Sequence, residues 1–517
     1  MDRQRLATVV AVLASVLATG MSIEPKRAAT PVTVKLPGAP AAGAADPATA
    51  QPLLPPDGYL KYLSAVLTAE GLQDPLARCL AYPALPGNEW PTGMVEALCA
   101  LVPPEGSLDE WQAALKQPGG GAELDRRFAA LNDAHYSDPK QKDRIFRAYD
   151  NFDASEQAAA VAQEWVRQSP DSAYARTARA WQLVAQGWEA RGKKFMRETP
   201  ADNVRRMEKF FAESIPDLDF ALKKNPKLLP ACDRLISIGA SSSAQLQSIG
   251  TGLCFKADPA SYRVIKSLIW AAQPKWGGSL DEMRGIVAIA REREDKNLAL
   301  AALRGAQAGY APSQDTSPNH FARTGPELER VSRLSPGNLQ DTSRAMINLD
   351  RSWDAVVYAS QSIRFYPDND DAYYDRANAL RKLNAYELAI EDARRAKALE
   401  KIPDGWAALE LTISLYALGR HKEAREEALE AMAYPDTRGD ANRFLCSTYL
   451  YTHQLDEMAE CTEKFIVDFP GDDEAWRLRA VAYKDAGNPK MYDAVDDFLQ
   501  RADPKGQAEG IKWFKAW

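Results

Sequence analysis

A chain of 517 residues, 45% hydrophobic and 26% charged, is too long for one compact core and implies two or three domains. Its net charge of -7 is mildly acidic, and no stretch gathers the Lys and Arg needed to displace counterions from phosphates, so nucleic acid is excluded as a partner.

At the N-terminus, Arg3 and Arg5 precede a run, Leu6 to Met21, of apolar or small residues, and Ala18-Thr19-Gly20 offers a small-x-small cleavage site. That order predicts a secretory signal peptide over residues 1–21. The alternative is an uncleaved anchor, because Leu6 to Ile23 approaches the ~20 residues that span a bilayer. Either reading places the body of the chain outside the cytoplasm, periplasmic, secreted, or held at the inner membrane facing the periplasm. No cysteine stands near the cleavage site, which argues against a lipoprotein. Residues 24–57 are rich in Pro and Ala and read as a flexible linker, too poor in apolar bulk to offset chain entropy.

Residues 58–118 read as a small helical unit, with a capping box at Ser107-Leu108-Asp109-Glu110 and a hinge at Gly119 to Gly121. Residues 122–308 keep a helical pattern, with helix starts at Asp153/Glu156 and at Thr199-Pro200-Asp202. Two segments in this stretch are distinctive: Trp188-Glu189-Ala190-Arg191-Gly192 and Trp276-Gly277-Gly278-Ser279. Together they resemble an uncharacterised bacterial helical family of unknown function with W-x-A-R-G and W-G-G-S signatures, and that resemblance implies fold and lineage but no activity. Physically both segments read as architecture. Arg191-Gly192 closes a helix, and Ser279-Leu280-Asp281-Glu282 opens one behind a glycine turn. Ser237 to Gly252 is rich in small residues but lacks the order of a phosphate loop. Residues 309–335, with several Pro, Ser and Asn, read as a joint to the C-terminal third of the chain.

The six cysteines fall in three local pairs, Cys79 with Cys99, Cys232 with Cys254 and Cys446 with Cys461. Six cysteines allow 15 connectivities. Local pairing within helical hairpins is the economical choice for an exported chain, against the alternative of buried thiols.

From Pro336 the chain repeats every 34 or 35 residues, with units starting near Pro336, Asp370, Gly405, Gly439 and Asp473. Ala355, Ala389, Ala424 and Met458 hold one equivalent position, and the apolar spacing within a unit fits two short amphipathic helices. With Tyr373, Ala377, Leu380, Tyr386, Ala389 and Ala396 in its best unit, the stretch from Pro336 to Asp503 resembles the tetratricopeptide repeat, within a region 336–517 closed by a C-terminal cap. The fold class is therefore all-α, a helical domain followed by a tetratricopeptide-like α-solenoid.

This resemblance implies a concave groove lined by first helices that holds a protein or peptide partner. Carried over position by position, it assigns Arg344, Tyr374, Asn378, Arg381, Trp406, Leu409, Ile413, Tyr416, Arg443, Ser447, Tyr451, Arg477 and Lys484 to that groove. Rings would supply buried area and bases would grip carboxylates or carbonyls. The plainer reading is that several of these pack on neighbouring helices or stand as solvated charges. A specialised C-terminal carboxylate clamp is not expected, since Tyr374 and Phe444 stand where polar or basic residues belong.

Catalysis has little to draw on. His135, His320, His421 and His453 fall in no H-E-x-x-H motif, and there is no G-x-S-x-G. No cofactor, metal or catalytic residue is expected, and the functional expectation is a non-catalytic binding scaffold in the cell envelope. The alternative is a helical-domain enzyme acting on an envelope polymer, with the repeats as its targeting arm. Self-assembly through the aromatic tail Trp513, Phe514 and Trp517 is a third possibility.

Overall fold

The computed structural model describes residues 52–192, 198–317 and 319–516. The expected signal peptide or anchor (1–21) and most of the expected linker lie outside the described residues. Among those described there are 26 α-helices, a few short 3-10 turns and no strand, and no helix is long and apolar enough to cross a membrane. The chain divides into two compact units. Residues 65–338 form the first, and residues 52–64 join 339–516 in the second.

The first unit is built on large aromatic side chains. Trp111 stacks on Phe152 at 5.1 Å, Phe128 meets Trp165 at 4.7 Å and Tyr149 at 5.1 Å, and all five are buried. The polar edge of Trp165 is satisfied inside this core, its indole N–H reaching Asp125 at 3.0 Å and the Gly121 carbonyl at 3.2 Å.

Helix ends follow local chemistry. Ser107 accepts from the Glu110 amide and Ser279 from the Glu282 amide, as their capping boxes imply. The helix Ala173–Arg191 stops at Gly192, whose φ of 79° suits a residue without a Cβ. Elsewhere the structure departs from expectation. Ser155, not Asp153, caps Glu156–Gln168, and Pro200 precedes Ala201–Lys224 without a side-chain cap.

Gly119 to Gly121 is no hinge. Gly120 and Gly121 begin the helix Gly120–Ser137, and a Cβ on either would collide with Ala114 or with Ser169. The small residues of 237–252 have the same cause. They lie on the paired helices Leu229–Ser242 and Ala244–Ala257, where a Cβ on Gly250 would come within 2.9 Å of the Cys232 carbonyl oxygen.

Residues 309–335, expected as a joint, are mostly helical: Ala306–Gln314 and His320–Leu334 belong to the first unit. Their glycines permit close packing there, Gly305 against Val331 and Ser335 and Gly309 against Asn338. Tertiary contact outweighs the breaker tendency of Pro312 and Pro326.

The second unit is the solenoid. Its hairpins are Leu339–Asn348 with Ser352–Phe365, Asp370–Lys382 with Tyr386–Leu399, Trp406–Ala417 with His421–Ala431, Pro435–Tyr451 with Leu455–Asp468, and Asp473–Asp485 with Lys490–Arg501. The helix Ala508–Lys515 comes last, with Phe514 stacked on Phe498 at 4.3 Å. Alanines fill the helix–helix contacts: Ala355, Ala359, Ala377, Ala389, Ala393, Ala424 and Ala428 are fully buried. Their small size lets paired backbones approach, as a repeat that buries its apolar face on its neighbour requires.

Residues 52–64 complete the first hairpin. Tyr59 stacks on Trp353 at 5.6 Å and donates its hydroxyl to buried Asp354, which also accepts from the Leu53 amide at 3.2 Å. Gln361 donates to the Tyr62 hydroxyl at 2.6 Å. The last part of the expected linker is therefore packed structure, with Pro56 and Asp57 opening the helix Pro56–Glu70.

All three local cysteine pairs are disulfides, Cys79–Cys99, Cys232–Cys254 and Cys446–Cys461. The third ties together the two helices of the fourth hairpin.

Candidate functional site

In the solenoid the first helices of successive hairpins carry an aromatic stripe. Trp406, Leu409, Ile413 and Tyr416 succeed one another along Trp406–Ala417 at helical spacing. Trp406, 39% exposed, meets half-buried Tyr374 of the preceding hairpin edge-on at 6.5 Å. Tyr416 meets Phe444 at 5.3 Å, Tyr451 at 5.5 Å and His421 at 5.2 Å. Tyr451 is 56% exposed and lies parallel to the His421 imidazole at 4.7 Å. Burial, and then the bond to the Tyr451 side chain, push the Tyr416 hydroxyl above its ordinary pKa. Burial also raises Tyr374. Both are neutral hydroxyls at physiological pH, able to donate and to accept. Burial and nearby Arg425 push His421 down, which favours the neutral imidazole.

Two groove assignments are corrected by burial. Leu409 is 4% exposed and packs with Ala408, Ala431 and Ala441, so it serves the core. Ser447 is 8% exposed and donates to the Arg443 carbonyl at 2.8 Å, back-bonding within its own helix. Ile413 and Asn378 are half-buried, and the Asn378 carbonyl oxygen is buried without a partner. Lys484 is exposed.

The basic character expected of the groove is also corrected, because its arginines already hold carboxylates. Arg344 binds Asp371 at 3.0 Å and Asp375 at 3.3 Å. Arg381 binds Glu410 at 2.7 Å, Arg443 binds Asp472 at 2.8 Å, and Arg477 binds Glu474. The first three pairs join the first helix of one hairpin to that of the next. They act as stitches along the stack rather than as open anion receptors. Burial drives the Glu410 carboxyl up, against the lowering effect of Arg381. The same burial pushes Asp375 up to about 7, against the lowering effect of Arg344. The surface left for a partner is thus aromatic, with its guanidiniums largely neutralised.

Sequence reasoning missed His421 and Phe444 as members of this cluster. The signal was present in the repeat register: Phe444 neighbours Arg443 on a first helix, and His421 opens the second helix of the hairpin that carries Tyr416.

Among the histidines, the buried imidazole of His135 has both ring nitrogens engaged. The Asp143 amide donates to Nδ1 at 2.8 Å, which leaves the proton on Nε2, 3.1 Å from Asp258. Burial would raise Asp258, but bonds from His135 and Lys142 outweigh it and hold the carboxyl well below its usual range. Ser261 donates to Asp143 and not to the ring. This network binds the turn before Ile145–Tyr149 to the start of Tyr262–Ala271.

No protein-family model matches the sequence, and no curated protein matches it. Solved structures do resemble it. One is YrrB, described as a TPR protein with an unusual peptide-binding site, at 16% identity over 35% of this chain and 91% of that one, TM-score 0.29. MamA matches at 18% identity over 34% and 94%, TM-score 0.30. The APC/C hetero-tetramer Cut9–Hcn1 matches at 13% identity over 85% and 91%, TM-score 0.36. At these values the likenesses carry no argument about this chain's activity or partners.

Proposed function

We propose that this protein is an exported, non-catalytic scaffold of the cell envelope whose solenoid holds an extended segment of a partner protein. The observation that carries this reading is the stripe formed by Tyr374, Trp406, Tyr416, Phe444 and Tyr451 on three consecutive first helices. Large rings with exposed edges and neutral hydroxyls anchor a peptide by burying its apolar side chains and bonding its backbone. Because Arg344, Arg381, Arg443 and Arg477 are already paired, the segment is recognised by its apolar side chains rather than by its acids. Three disulfides favour an oxidising compartment and thus export. Kinship of residues 123–303 with the bacterial W-x-A-R-G and W-G-G-S family is part of this proposal and adds no activity.

Panning a displayed random-peptide library on the full chain tests it. Peptides with spaced aliphatic or aromatic residues should be enriched by the native protein. A Trp406→Ala/Tyr416→Ala/Tyr451→Ala variant with unchanged helical content should enrich none. Equal enrichment by both proteins refutes the groove.

A further inference from the structure

The two Trp-containing segments of the first unit meet in space. Trp188, near the end of Ala173–Arg191, lies 5.6 Å from Trp276 and 5.7 Å from Trp270, and those two rings are 4.8 Å apart. All three indoles are half-buried. The Trp188 N–H is occupied, donating to Ser237 at 3.3 Å. The turn after Trp276 is built for close approach: Gly277 has φ of 88°, and a Cβ on Gly278 would overlap the Ala272 backbone.

Onto this cluster the chain places two cations. The Arg191 guanidinium sits 5.3 Å from the Trp276 ring centre and 5.8 Å from that of Trp188, and the Lys275 ammonium lies 5.7 Å from Trp276. Arg191 is only 8% exposed. Two other buried arginines hold carboxylates: Arg376 binds Asp392 at 2.7 Å, and Arg479 binds Asp497 at 3.3 Å. Arg191 instead donates, among the described residues, to the carbonyl of Gly192 at 3.2 Å, and its Nε–H is buried without a partner. The Trp276 indole N–H and the Gln273 Oε1 are buried and unpartnered as well. Burial depresses the pKa of Arg191.

A buried guanidinium beside a second cation, with no acid among the described residues to balance them, is costly unless something else supplies the charge. Contact with indole faces offsets part of that cost and leaves the donors unfilled. What is missing has a definite chemistry. An oxyanion would fill the Arg191 and Trp276 donors and balance Lys275, a hydroxyl would satisfy Gln273, and a compact apolar face would cover the indoles.

We infer that the Trp188–Trp270–Trp276 cluster, with Arg191, Lys275 and Gln273, is a binding site for an anionic sugar, a pyranose bearing a carboxylate or phosphate. The ring C–H face lies on indole, the anion on the two cations, and a hydroxyl on the Gln273 carbonyl. The helix stop at Gly192 and the turn at Gly277-Gly278 then have a second role, which is to bring Arg191 and Trp276 within reach of one ligand.

Titration of the full chain with glucuronate, glucose 6-phosphate, glucose and inorganic phosphate, monitored by calorimetry and tryptophan fluorescence, decides the matter. At least one of the two anionic sugars should saturate, with glucose and inorganic phosphate each weaker by about tenfold or more. Lys275 has an exposed side chain, so Lys275→Gln keeps the fold and should weaken the anionic sugar by about tenfold. Trp276→Phe retains an aromatic ring but loses the indole donor and part of the ring face, and should also weaken it. The inference falls if neither anionic sugar saturates, if glucose or inorganic phosphate binds as tightly, or if Lys275→Gln leaves the affinity unchanged.

Discussion

At the helix contacts of the solenoid stand Ala355, Ala377, Ala389 and Ala424, while at those of the first unit stand Trp111, Phe128, Tyr149, Trp165 and Trp181. The solenoid repeats one small-residue contact, and its hairpins are further joined by ion pairs spaced about one repeat apart, such as Arg381 with Glu410 and Lys397 with Glu427. The first unit gathers its aromatic residues into one irregular core that also takes in Phe146, Phe152 and Phe211. Stability is therefore distributed along the array and concentrated in the first unit, and a single substitution should act differently in each.

The largest effect is expected at Trp165. Trp165→Ala removes a fully buried ring and leaves Asp125 without its indole donor, a loss of about 4 kcal/mol confined to the first unit. Urea unfolding read by hydrogen exchange in each unit checks it, and an equal loss in the solenoid would erase the distinction.

Next comes Arg381→Ala, which strands the Glu410 carboxylate in the core at a cost of about 3 kcal/mol. The double variant Arg381→Ala/Glu410→Gln should recover much of that stability. Melting both variants is the measurement, and equal destabilisation of the two would show that the stitch is not electrostatic.

The smallest effect belongs to Asp375. Its folded pKa of about 7 lies above the unfolded value, so its contribution is complete below about pH 4 and is lost as pH rises through 7. Asp375→Asn should then stabilise the array at pH 8 and hardly at all at pH 4. A gain of the same size at both pH values contradicts the assigned cause.

The same contrast explains what the sequence disclosed. A repeat states its helix–helix contact several times over, so register, turns and the alanine positions could be read directly from the solenoid. Capping boxes at Ser107 and Ser279 were legible because they act over three residues. Contacts between distant positions left no local trace. The carboxylate partners of Arg344, Arg381 and Arg443 lie about one repeat downstream, where spacing alone could not separate a free base from a paired one. The helices of 306–334 hide behind Pro312, Asn319 and Pro326, whose breaker tendency loses to packing. Meeting of Trp188, Trp270 and Trp276 is likewise a property of the folded first unit alone.

Tyr59 and Tyr62 have a practical consequence for anyone dividing this chain. A fragment begun at Leu339 would carry every hairpin and still leave Trp353, Asp354 and Gln361 open to water on its leading face. The solenoid has a lid at its front, encoded far upstream of the hairpins it protects. Engineering it as a separate module therefore means grafting residues 52–64 back on, or replacing the tyrosines' contacts with a polar end-piece.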